Sequence, residues 1–163
     1  MTIFRWALLL SVGAWPASNP TGQEAPVLRV IFPGGQTDLH PAELALLPRD
    51  SVRARLHDGP EHWYAGPSLI AVLRRAGARV DTVRGPALAQ YVLAEARDGY
   101  RVLFSLAELA PALGNERVLL VDRMDGQVLP PDDGPWRLVV PGEAHPTRWA
   151  RQIVTLRVVT AAP

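Results

Sequence analysis

Near the carboxyl terminus the run TRWAR places Trp149 directly after Arg148 and two residues before Arg151. An aromatic plate between two planar guanidinium forks can stack on a flat ring and read an anionic or carbonyl edge through paired hydrogen bonds. The same residues also make an ordinary surface turn anchored by a buried tryptophan, so both readings stay open at this point. A second cluster, HDGPEH, crowds His57, Asp58, Glu61 and His62 into one turn. Imidazoles and carboxylates can hold a divalent metal, yet this spacing matches no recurrent metal motif. Its central Gly-Pro pair reads as a plain polar loop, so no metal site is expected. No Gly-rich phosphate loop, serine-nucleophile elbow or paired-carboxylate motif is present.

Two residue types are missing altogether. The chain has no Cys, which excludes disulfides, zinc-thiolate sites, iron-sulfur clusters and a cysteine nucleophile. It also has no Lys, so all 17 basic residues are Arg and an anion site must use guanidinium forks or backbone amides. With 16 acidic residues the formal charge is +1, which argues against non-specific nucleic-acid binding.

The elements that must position these side chains are short. Residues 27–32 (VLRVIF) read as a strand stopped by Pro-Gly-Gly, and residues 41–47 (PAELALL) as a short helix opened by proline. Alternation over residues 51–56 puts Val52, Ala54 and Leu56 on one face of a strand. The clearest helix spans residues 67–76, with Leu69, Ile70, Leu73 and Ala76 at helical spacing and Gly77 closing it. Strands over residues 91–96 and 101–104 flank Asp98-Gly99, a hairpin signal. Ser105 and Glu108 have capping-box spacing for a helix over residues 106–110. Residues 118–123, 136–140 and 153–160 read as further strands, so the fold class is α+β and strand-heavy.

At 163 residues, 48% apolar, the chain suits one core-forming domain. Residues 1–5 carry one positive charge ahead of the apolar run WALLLSVGA, and residues 18–26 are Pro/Gly/polar. The run is too short to span a bilayer comfortably and reads as an export signal with a flexible lead-in, residues 1–26, before a domain over residues 27–163. An uncleaved amino-terminal anchor is the other reading.

The ordered segments DLHPAELALLP, WYAGPSLIAVLRRAGA, ARDGYRVLFSLAEL, VLLVDRMDGQVLPPDDGPWRLVVPGE and RWARQIVTLRVV resemble the molybdopterin-binding domain of the sulfite oxidase family over residues 27–160. The resemblance implies that family's fold, mixed β-sheets with short helices and a partly barrel-like core, and a pterin-sized cleft. In that family a cysteine thiolate ahead of the segment corresponding to Trp63 through Gly66 binds molybdenum; here the stretch reads ARLHDGPEHW, with His57 and no thiol. The family's late lysine beside tryptophan is also absent, with Arg148 and Arg151 around Trp149 instead. The chain is similar to short, exported members that bind a free reduced pterin and regulate a membrane signalling protein.

The resemblance therefore implies a periplasmic, non-enzymatic pterin-binding protein with an inner-membrane signalling partner and no covalently held cofactor. The alternative is a molybdopterin-dependent oxidoreductase or its subunit, and a scaffold with an empty cleft is a third. Ligand contacts are expected from Trp149, Arg148 and Arg151, then His57, Tyr64 and Arg101, with Glu108 or Asp98 for an amino-amidine edge.

Overall fold

The computed structural model describes residues 25–162, so the export-signal reading of residues 1–24 lies outside the described residues. Strand β1 (Leu28–Phe32) buries Leu28 and Val30 and returns through Pro33-Gly34 as β2 (Gly35–Leu39). Helix α1 (Pro41–Ala45) starts on its proline, and the Glu43 carboxylate accepts the orphan amide of His40 at 3.1 Å. Strands β3 (Arg49–Arg55) and β4 (Glu61–Pro67) form an antiparallel pair, followed by α2 (Leu69–Ala76). A 3₁₀ turn (Gly85–Ala89) leads into β5 (Gln90–Ala96), β6 (Arg101–Ser105) and α3 (Leu106–Leu109). The chain then runs through β7 (Leu119–Val121), β8 (Arg123–Met124), β9 (Gln127–Val128), β10 (Arg137–Val139) and β11 (Ile153–Thr160).

Among the described residues the strands form three sheets, in the orders β2-β1-β11-β5-β6, β3-β4-β8-β9 and β10-β7. The pair β1 and β11 is parallel and the others are antiparallel, giving the mixed α+β architecture expected. One continuous core joins them, with Leu28, Leu69, Leu73, Phe104, Leu120, Leu138, Ile153 and Leu156 fully buried. Each such side chain contributes about 1.5–3 kcal/mol through removal from water. No helix of the described residues is long and apolar enough to cross a membrane.

Three local differences from the sequence reading have physical causes. Helix α2 begins at Leu69 rather than Pro67, because Ser68 Oγ accepts the Ala71 amide and Pro67 ends β4. The apolar run 118–123 is cut at Asp122. Its amide donates to Ala65 O at 3.1 Å and its carboxylate is held by Arg49, so the chain leaves the β10 pair and joins β4 as β8. Strand β2 has only Leu39 buried and forms by pairing with β1, where Arg29 Nε reaches Asp38 Oδ1 at 3.0 Å.

The crossing of β4 over β7 leaves no room for a side chain. A Cβ on Gly66 would lie 2.2 Å from Leu120 O and 2.5 Å from the Val121 Cα, both of them backbone. Gly66→Ala is expected to destabilise the fold by about 3 kcal/mol, seen as a lower denaturant midpoint at unchanged slope.

Candidate functional site

The site is built by the segment joining β10 to β11. Pro141-Gly142 ends the β10 run, and a 3₁₀ turn (Pro146–Arg148) carries the chain to Trp149. Trp149 is 6% exposed, its Nε1–H donates to Val140 O at 3.1 Å, and its ring stands edge-on to Tyr64 at 5.9 Å. The tryptophan is thus a buried peg, not an open stacking plate.

Two adjoining clefts lie against this peg. The first, about 510 Å³, separates Arg53 and Arg55 of β3 from the 141–146 turn, with Glu143 and His145 on its far wall. The second, about 370 Å³, is lined by Tyr100, Arg137, Thr147 and Arg151 among others. His57, Pro146 and Trp149 border both clefts. His57 holds that shared rim from a left-handed backbone conformation, φ 52°.

Of the eight residues expected to contact ligand, His57, Asp98, Trp149 and Arg151 reach this double cleft and four do not. Arg148 turns the other way: Nη1 donates to Glu108 Oε1 at 2.8 Å and Leu103 O at 3.0 Å, Nε pairs with Glu143, and the guanidinium lies 4.4 Å from the Phe104 ring centroid. Its expected ligand role is corrected to a structural one, because Nε, Nη1 and one face of the group are engaged within the fold and the residue borders neither cleft. Tyr64 sits beneath Trp149, where burial pushes its phenol above the usual range. Arg101 is exposed on β6 opposite Glu95, outside both clefts. Glu108 is consumed by Arg148 and by the amide of Ser105. Asp98 does border the second cleft, its Oδ1 accepting the Tyr100 amide, while the Tyr100 hydroxyl donates to Thr147 O at 2.7 Å and latches the hairpin to the turn.

The HDGPEH cluster is divided. His57, Asp58 and Glu61 border the first cleft, whereas His62 Nδ1 lies 2.6 Å from Asp125 Oδ2. The Trp63 amide, then His62, hold the Asp125 carboxyl below the usual range. Among the described residues no three His, Cys, Asp or Glu side chains gather as a metal site.

One site residue escaped the sequence reading. Arg137, 5% exposed, borders the second cleft with one nitrogen on Asp133 Oδ1 at 2.9 Å and its Nε without a partner. A guanidinium in the middle of the apolar run WRLVV was the available signal, since burying a charge costs several kcal/mol unless its donors are met. On the first cleft, Glu143 Oε2 is likewise buried and unpartnered.

A family model described as oxidoreductase molybdopterin binding domain matches residues 60–163. This chain belongs to that family. It carries an oxidoreductase-type molybdopterin-binding domain. The crystal structure of the sulfane dehydrogenase SoxCD from Paracoccus pantotrophus has the same fold, with a TM-score of 0.65 at 20% identity. The match covers 84% of this chain and 39% of that one, so this chain spans well under half of the SoxCD chain. Among curated proteins no sequence match is found.

The family's cofactor has a metal half and an organic half, and this donor set treats them differently. With no Cys in the chain and His57 at the shared rim, the residues do not fit thiolate-held molybdenum; imidazole is not an equivalent soft donor. They do fit the organic half. The Arg137 guanidinium and the Arg151 fork on the lining of the second cleft match a flat ligand rich in carbonyl or anionic acceptors, and Asp98 can accept from its amino groups.

Arg148→Met strands two carboxylates and is expected to cost about 2 kcal/mol, whereas exposed Arg151→Gln should stay within about 0.5 kcal/mol in the same denaturation series. The raised Tyr64 pKa means the unfolded chain loses the phenolic proton first. Stability should therefore fall as pH rises past about 10, and Tyr64→Phe should flatten that slope.

Proposed function

We propose that the protein is a periplasmic, non-enzymatic pterin-binding protein that reports ligand occupancy to an inner-membrane signalling partner. The observation that carries the ligand half is the second cleft: a buried guanidinium with an unmet donor beside an aromatic floor, in a chain without the thiolate that molybdenum would need. A pterin ring carbonyl pairs with the Arg137 guanidinium, and Arg151 takes the more exposed edge or an anionic tail. Asp98 accepts from the amino-amidine edge. His57 and Pro146 close the ring from the side of the first cleft. The periplasmic and signalling parts of the reading are supported by the export-type leader and by likeness to exported regulators of this fold.

The lining of the second cleft supports the binding reading. No side chain bordering it has a nucleophile and base in hydrogen-bonded register, and the partners of Tyr100 and Asp98 are backbone groups. Family membership makes a molybdopterin-dependent oxidoreductase the competing reading, and the two separate cleanly on content.

Calorimetric titration of the metal-free protein with a tetrahydropterin should show one site. Arg137→Gln should weaken it by at least about tenfold and Arg151→Gln by less, since a hydrogen bond to a charged group is worth about 1.5–3 kcal/mol when desolvated. Molybdenum with a phosphorylated pterin in protein purified from its native compartment would overturn this reading in favour of the oxidoreductase.

A further inference from the structure

Strand β3 is an edge strand of its sheet, and its free side can be assigned. In an antiparallel pair the backbone N–H and C=O of one residue point to the same side, and successive residues alternate. Trp63, opposite Arg53, sends its carbonyl to the Asp125 amide, and Ala65, opposite Ser51, sends its own to the Asp122 amide. Both therefore face β8, so Ser51, Arg53 and Arg55 turn their backbone groups away from β4. The Ser51 carbonyl is capped by Arg117 at 2.7 Å, and Arg117 is fixed by Asp50. Arg53 and Arg55 have no such cap among the described residues. The first cleft lies beside them, with the 141–146 turn as its far wall.

The side chains around this open edge have a definite charge. Arg53 and Arg55 share a single carboxylate, Glu61, at 3.0 and 3.4 Å. On the same outward face Arg123 meets the carbonyl of Gly126 at 3.4 Å and no carboxylate among the described residues, while Trp63 is 55% and Val128 70% exposed. At the β3 edge itself two guanidinium groups against one carboxylate leave a surplus of one positive charge, with Arg123 two strands away on β8. The cleft side differs: Asp58 and Glu143 border it and repel acids there.

We propose that an extended, acidic segment of a partner protein adds to β3 as a further strand at Arg53 and Arg55, in the space between that edge and the 141–146 turn. Backbone pairing supplies affinity, and alternation supplies specificity. Acidic side chains of the added strand fall at every second position, beside the outward Arg53 and Arg55. The intervening positions face the cleft and are uncharged. An anionic membrane would meet the arginines and Trp63 but has no use for a row of free amides and carbonyls, which favours a peptide. The inference rests on the existence of a protein partner, as proposed above, and not on the pterin. Because the cleft shares His57, Pro146 and Trp149 with the second one, the docked segment lies against the wall of the ligand site.

The test is selection of random octapeptides on the full chain without any pterin, followed by anisotropy titration of the enriched peptides. Enriched sequences are expected to carry Asp or Glu at alternating positions. Arg53→Pro removes an amide that points away from β4, a substitution edge strands tolerate, and should weaken binding by at least about tenfold. The double variant Arg53→Gln, Arg55→Gln should weaken it comparably and remove its salt dependence. An unchanged melting temperature shows that each variant folds. If the proline variant does not, amide shifts confined to Arg53 and Arg55 on peptide addition decide the backbone contact. The proposal is overturned by peptides enriched without acids, by no enrichment, or by binding insensitive to these variants. It is equally overturned by a dimer that Arg53→Pro dissociates, or by arginine-dependent binding to phosphatidylserine vesicles alone. A failed pterin titration leaves it standing.

Discussion

The contact on which this structure turns is the edge-on packing of Trp149 against Tyr64, locked by the hydrogen bond from Trp149 Nε1 to Val140 O. Tyr64 belongs to the β3-β4 sheet and Val140 follows β10, so one indole ties two sheets to the segment leading into β11. Its neighbour Arg148 fastens in the other direction, to α3 through Glu108 and to β6 through Leu103 O. Two consecutive residues therefore hold the 141–152 segment from opposite sides. The first cleft lies between that segment and β3, and the second lies where the segment meets the β5-β6 hairpin, to which Tyr100 latches it through Thr147 O.

The electrostatics follow from the same arrangement. Arg148 spends its charge inside the fold, between Glu143 and Glu108, which leaves Arg137 and Arg151 to face the second cleft. Arg137 is the costly one. It is desolvated, its ion pair with Asp133 satisfies only part of the guanidinium, and its Nε is buried without a partner. A fold tolerates such a group where another molecule completes it, or where it orders a loop. The second use is visible here, since the same strand residue anchors the turn at Asp133. The chain has no cysteine to offer a metal as thiolate, while Arg137, Arg151 and Asp98 border the second cleft.

Much of the fold was readable because its signals are local. The Asp98-Gly99 turn between β5 and β6, the Ser105/Glu108 capping box and the glycine closing α2 each act within a few residues, and each formed where the spacing required. The elements that were missed depend on partners far away in the chain. Strand β2 has one buried residue and forms on β1; β4 is laid down by β3 on one side and β8 on the other; the 118–123 run breaks because Asp122 answers Ala65 and Arg49. The site was legible in outline and misassigned in detail. TRWAR did mark the segment that forms it, but adjacency could not say which arginine looks outward.

By itself the sequence determined the chemistry on offer: no thiol, no ammonium side chain, guanidinium as the sole permanent cation, and an ordered set of segments shared with one family. Those are properties of composition and order, and no folding can change them. Tertiary structure alone decided that Trp149 is a peg, that Arg148 is internal, that Arg137 carries an unmet donor, and that two clefts share one wall at His57. Burial and hydrogen-bond satisfaction are sums over neighbours dozens of residues away, and a side chain's direction follows from those sums rather than from the residues beside it.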